Sequence, residues 1–131
     1  MIGVDTNVLL RFLTADDASQ HASTLDFFRR RTPADPAFIG AVTLAEMIWV
    51  LRTAYSYSEE DIRKSVEMLC NSDDFVVEGR EVLRAGSGEI VPSIQIADFL
   101  VAYLAQRAGC SHTVTFDQQA ARSVPGMELL T

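Results

Sequence analysis

Ile2-Gly3-Val4-Asp5-Thr6-Asn7-Val8-Leu9-Leu10 opens the chain with a short apolar run, a polar turn and a second apolar run. Residues 2–4 read as a buried strand, Asp5-Thr6-Asn7 ends it, and residues 8–13 follow as a helix. The same order returns further on. Residues 38–42 make a second apolar strand, followed by a helix that starts near Thr43 and runs through Glu46, Trp49 and Arg52 to about Tyr55. Residues 75–77 make a third strand, residues 112–115 a fourth, and residues 127–130 an edge strand after Pro125-Gly126.

Helices fill the intervals. Asp16 and Asp17 can cap a helix whose Ala18, Ala22, Leu25 and Phe28 share one face, with Arg29, Arg30 and Arg31 where the macrodipole favours cations. Ser58 caps another, with Glu59, Glu60 and Asp61 in its first turn, Ile62, Val66 and Leu69 on its buried face and Asn71 as its stop. Residues 81–85 read as a short helix ended by Gly86-Ser87-Gly88, and Ser93 caps an apolar helix over residues 94–107 that stops at Gly109. Strands alternating with helices pair in parallel through crossovers. The expected fold is α/β, a central, mostly parallel sheet of four to five strands with helices on both faces, in a single domain over residues 1–131.

Hydrophobic residues make up 48% of the chain and charged residues 22%, as in ordinary globular proteins, and no run approaches the roughly 20 apolar residues of a membrane span. Nothing near Met1 reads as a basic stretch followed by an apolar one, so the expected compartment is the cytoplasm. Cys70 and Cys110 lack any metal or disulfide spacing and read as small apolar fillers. The net charge of −7 excludes a broadly basic nucleic-acid-binding surface, so any nucleic-acid function has to find positive charge elsewhere.

In parallel α/β sheets the site lies beyond the carboxyl ends of the strands. Asp5 follows the first strand, Glu46 lies in the first turn after the second, Asp98 sits in the apolar helix before the fourth, and Asp117 follows the fourth. Three of them have structural readings. Asp5 can end a strand in an Asx turn, Glu46 can form a capping box with Thr43, and Asp117 can cap a helix starting near Gln118. Asp98 resists such a reading, being the only charged residue between Ile94 and Ala105 and flanked by Ala97, Phe99, Leu100 and Val101. A carboxylate buried without a partner is costly, and Arg107 lies beyond helical reach. Four converging carboxylates repel one another unless divalent cations neutralise them, and oxygen-only ligands suit Mg²⁺, with Mn²⁺ the alternative, rather than zinc. Such ions bind a phosphodiester oxygen and activate water, which points to phosphodiester hydrolysis and supplies the positive charge that the side chains lack.

Val4-Asp5-Thr6-Asn7-Val8-Leu9-Leu10, Leu44-Ala45-Glu46 leading to Trp49-Val50-Leu51, Ile96-Ala97-Asp98-Phe99-Leu100 and Val114-Thr115-Phe116-Asp117 together resemble PIN-domain proteins of the VapC toxin family, over essentially the whole chain. The resemblance implies a PIN-like fold and a Mg²⁺-dependent endoribonuclease. It implies also a homodimer in the cytoplasm, the toxin of a type II toxin–antitoxin system, neutralised by a VapB-like antitoxin whose C-terminal segment enters the acidic groove. By position, Asp5, Glu46, Asp98 and Asp117 become the acidic quartet and metal ligands, with Thr6, Asn7 and Thr115 as supporting polar residues. An antitoxin arginine would suit such a groove, with further apolar docking against the helix bearing Ile48, Trp49 and Arg52.

Rival readings meet specific obstacles. A haloacid-dehalogenase-like phosphatase needs a second Asp where Asn7 stands, and a phosphorylation receiver needs a late lysine where the chain has only Lys64. A catalytically idle PIN-like binding module, or a solitary RNA-processing nuclease without an antitoxin, remain as alternatives.

Overall fold

The computed structural model describes residues 1–84 and 86–131, and falls into two compact units, Met1–Glu78 and Gly79–Thr131. The first holds a three-stranded parallel sheet of β1 (Ile2–Gly3), β2 (Ala37–Ile39) and β3 (Phe75–Val77), in that order. Between the strands come α1 (Thr6–Leu13), α2 (Ala18–Arg29), α3 (Ala41–Thr53) and α4 (Glu59–Asn71). The alternation along β2 and β3 buries Ala37, Ile39, Phe75 and Val77 on one face, while Val76 on the other is exposed. The rings of Phe12 on α1 and Phe28 on α2 lie 4.6 Å apart, and Phe28 reaches Phe75 at 5.3 Å, so aromatic contacts join these helices to the sheet.

Several expected details shift, each for a local reason. The first strand is not buried: β1 is the sheet edge, and Ile2 is 42% exposed. α1 begins at Thr6 rather than Val8, because Asp5 is its N-cap. α2 buries Thr24 and Phe28, leaving Ala18 and Ala22 exposed, because the aromatic contact turns that side inward. α3 buries Ala41, Leu44, Met47, Ile48 and Leu51 at helical spacing, which removes Ile48 from any docking face, while Val42 and Trp49 stay exposed. Arg52 is held by Glu59 at 2.7 Å. α4 is as expected: the Ser58 hydroxyl accepts from the Asp61 backbone N–H at 3.1 Å, three acids occupy the first turn, and Ile62, Val66 and Leu69 are buried.

The second unit contains α5 (Ile96–Arg107), β4 (Thr113–Thr115), α6 (Gln118–Ser123) and β5 (Met127–Leu129), with β4 and β5 paired in parallel. The strands therefore form a three-stranded sheet and a separate two-stranded pair, not one sheet of four to five. Strands of two or three residues have few ladder hydrogen bonds, and hydrophobic pattern alone does not choose their neighbours. A 3₁₀ turn over Arg80–Val82 stands where a short helix was expected, and the expected end of that helix, Ala85, lies outside the described residues. Ser93 is not the N-cap of α5: Ser93–Gln95 forms a 3₁₀ turn closed by Gln95 N–H on the Pro92 carbonyl at 2.9 Å, so α5 starts at Ile96 with Gln95 as its N-cap.

At its other end α5 finishes in a Schellman motif. The Cys110 N–H bonds the Ala105 carbonyl and the Gly109 N–H that of Gln106, both at 3.0 Å, with Gly109 at φ +102°. Gly79 is likewise constrained, with φ +82° and a Cβ position that would stand 2.6 Å from Leu100 Cδ2. Ala102, Ala120, Val124 and Met127 form this unit's core, with Phe99 against it. Cys70 is buried as expected, but Cys110 is exposed because it follows the turn that ends α5. Among the described residues no helix is long and apolar enough to cross a membrane.

Candidate active site

In the first unit three loops leave the carboxyl ends of parallel strands. Asp5 follows β1, with backbone extended at φ −87° and ψ 162°, and its Oδ1 accepts from the Thr6 N–H at 2.8 Å. An exposed N-cap carboxylate keeps further lone pairs for a cation. Thr6 itself is buried, whereas Asn7 is exposed on the next residue of α1 and lines a cleft of about 260 Å³ with Arg11, Gln20 and Thr24.

The loop after β2 departs from expectation. Gly40 is the N-cap of α3, so Thr43 lies inside the helix and the capping box with Glu46 does not form. The cap comes from Glu78, at the end of β3, whose Oε1 accepts from the Ala41 N–H at 2.8 Å. A carboxylate beside a helix N-terminus satisfies an orphan donor and meets the positive end of the macrodipole. Glu46, one turn further along, is exposed and makes no side-chain hydrogen bond or ion pair among the described residues. Glu78 was missed in the sequence, although an acid directly after the apolar run 75–77 repeats the pattern of Asp5 and Asp117. We expect Glu78→Ala to lower thermal stability by about 1 kcal/mol, the usual scale of a lost cap, with Glu78→Gln keeping most of it. Denaturant melts of both variants check this.

In the second unit Asp117 follows β4 and caps α6, its Oδ1 accepting from the Ala120 N–H at 3.0 Å. Thr115 Oγ1 accepts from the Asp117 N–H at 3.0 Å and so fixes the backbone that carries this carboxylate. Asp98, in the first turn of α5, is half-buried and has no basic partner among the described residues. Burial, and then the negative charge of Asp117, hold its carboxyl above the ordinary aspartate range. Asp98 thus feels the charge of Asp117.

Among the described residues no three His, Cys, Asp or Glu side chains come together closely enough to hold a metal ion. Carboxylates without a counter-charge repel one another, so a close cluster gathers only around a cation. The donor chemistry of Asp98 and Asp117 nevertheless suits a hard divalent ion: two carboxylates, one partly desolvated, and neither bonded to a basic side chain among the described residues. The larger of the two cavities described, about 550 Å³, lies in the second unit and is lined by none of the four acids.

A family model described as PIN domain matches residues 2–124 of the chain. No curated protein matches it.

Proposed function

Since the chain belongs to the PIN-domain family, we propose that it is a Mg²⁺-dependent endoribonuclease and the toxin of a type II toxin–antitoxin system. PIN domains are in general nucleases that use divalent metal ions and bind RNA. The observation that carries the finer reading is Asp98, a half-buried carboxylate in an apolar helix, which among the described residues has no basic partner and feels the charge of another carboxylate, Asp117. Such a group is tolerated chiefly where a cation visits it.

In this reading Asp5, Glu46, Asp98 and Asp117 hold Mg²⁺ or Mn²⁺. The ion, when bound, supplies positive charge to the phosphodiester and lowers the pKa of water. The chain does the rest. The helix caps at Asp5 and Asp117 fix two of the carboxylates by their backbones, and Thr115 steadies the second of these. Thr6 and Asn7 would assist as neighbouring polar groups. The family match runs across both compact units, which supports one PIN domain over residues 1–131. A cytoplasmic homodimer belongs to the same proposal.

The toxin reading also names its partner, a VapB-like antitoxin. Among the described residues Glu46 and Asp98 have no basic partners, in a chain of net charge −7, so an inhibitor gains by presenting an arginine, whose planar fork bonds two carboxylate oxygens. Exposed Val42 and Trp49, seven residues apart on α3, offer the accompanying apolar contacts. In nuclease assays an antitoxin C-terminal peptide is expected to inhibit, and its Arg→Ala variant to inhibit at least about tenfold less, the scale of a charge-assisted hydrogen bond. Equal inhibition by both peptides would show that bulk, not charge, closes the site.

A further inference from the structure

The cleft of about 260 Å³ in the Met1–Glu78 unit is walled by α1 and α2. Asn7 and Arg11 reach it from consecutive turns of α1, and Ser19, Gln20 and Ser23 from the first half of α2. Each of these side chains carries a hydrogen-bond donor, and no Asp or Glu lines the cleft.

Two acids touch lining residues from outside. Asp17, the N-cap of α2, accepts from the Gln20 backbone N–H at 2.9 Å. Asp16 accepts from the Tyr55 hydroxyl at 2.6 Å and the Thr14 hydroxyl at 3.1 Å, and meets Arg11 Nη1 at 3.4 Å. Arg11 is therefore paired: Nη1 also reaches the Tyr55 oxygen at 3.4 Å, and Nε donates to Gln20 Oε1 at 2.7 Å. These contacts hold the plane of the guanidinium without exhausting its donors. Nη2 makes no bond among the described residues, and the Asp16 contact is long and partly solvated, the kind of ion pair that contributes little. The side chains of Asn7 and Ser19 and the Gln20 amide nitrogen are also without a bond among the described residues. Arg, Ser, Asn and Gln side chains are the usual donors to the phosphate oxygens of a nucleic acid. The location fits too, since Asn7 stands two residues beyond Asp5, the N-cap of α1.

We propose that the cleft between α1 and α2 holds one backbone phosphate of the RNA substrate, with Arg11 Nη2 and the Asn7 and Ser19 side chains as donors, and so positions the strand beside Asp5. The proposal rests on the nuclease reading and adds a positioning site to it. Phosphate contacts of this kind place a strand without reading its sequence.

Arg11→Gln and Ser23→Glu test it. The second adds a negative charge at an exposed lining residue whose hydroxyl bonds only the Ser19 carbonyl among the described residues. Ser65→Glu is the control, making the same charge change on α4, which lines no part of the cleft. Cleavage of two single-stranded octaribonucleotides of unrelated sequence is measured with Mg²⁺, and their binding by anisotropy with Ca²⁺ in place of Mg²⁺ at several KCl concentrations. Thermal melts accompany each variant. Arg11→Gln is expected to raise KM and Kd at least about tenfold, the scale of a charge-assisted hydrogen bond, equally for both RNAs and with kcat unchanged. Its plot of log Kd against log KCl concentration becomes shallower by up to about 0.7, the share of one phosphate contact on a single strand. Ser23→Glu weakens binding in the same way and Ser65→Glu does not. Cleavage by the wild type with KM and Kd unmoved in Arg11→Gln and Ser23→Glu would overturn the phosphate site and leave the nuclease reading standing. Equal losses in Ser23→Glu and Ser65→Glu, or a loss confined to kcat, would do the same. If Arg11→Gln melts early, the comparison of Ser23→Glu with Ser65→Glu decides. RNA bound through Arg11 but never cleaved would overturn the nuclease reading and keep the phosphate site, and RNA neither bound nor cleaved would overturn both.

Discussion

Asp98→Asn is expected to abolish Mg²⁺-dependent RNA cleavage while the fold holds or gains stability. A direct cation ligand matters more than the outer-shell partners whose loss costs roughly 10- to 100-fold, so the activity loss should exceed about 100-fold. Stability moves the other way because of what surrounds the carboxyl. Burial and the charge of Asp117 raise its folded-state pKa above the unfolded value. The native protein then binds more protons than the unfolded chain just above the ordinary aspartate range, and its stability falls as pH rises through the raised pKa. Asparagine does not ionise. The metal-free variant should therefore lack that fall and melt, near neutral pH, at or above the wild-type temperature. Thermal melts from acid to neutral pH in EDTA, alongside RNA cleavage in Mg²⁺, separate the two effects. A well-folded variant with full activity would remove Asp98 from the site.

Glu46→Gln should be silent in stability and severe in activity. Glu46 stands at the sixth position of α3, exposed and outside the cap, which Glu78 supplies instead. Surface substitutions of this kind change stability by no more than about 0.5 kcal/mol. The loss of one negative charge from the proposed cation-binding set should still lower cleavage by about tenfold or more. Matching denaturation midpoints with a collapse in turnover is the expected pattern. An early melt with normal turnover would return Glu46 to a structural role.

Elements with strong local chemistry were legible from the sequence. α4 was readable because Ser58, three acids and the spacing of Ile62, Val66 and Leu69 all agree. The stop at Gly109 was readable because only a left-handed residue closes that turn without strain. Long-range partners were not. The capping box at Thr43 and Glu46 satisfied every local rule, but Glu78, thirty-seven residues from Ala41, bonds the helix start two residues earlier. The strand positions were nearly right while their grouping was not, because parallel neighbours are chosen by packing that an apolar pattern does not encode. For the site, the unusual setting of Asp98 was visible in its apolar neighbours, and its burial beside the charge of Asp117 is the structural counterpart of that signal. The cavity of about 550 Å³ was invisible, since its lining draws on the segment before α5, α5 itself, the segment after it and the loop before β5 together.

The most direct measurement is end-group analysis of a single-stranded RNA incubated with the purified protein, with Mg²⁺ and with excess EDTA. Hydrolysis by water at a carboxylate-held cation needs no attack from the ribose 2′-hydroxyl. The prediction is cleavage only with Mg²⁺, no 2′,3′-cyclic phosphate among the products, and equal cleavage of an RNA methylated at the 2′-oxygen of the scissile nucleotide. Cleavage that persists in EDTA and leaves 2′,3′-cyclic phosphate ends would contradict the account.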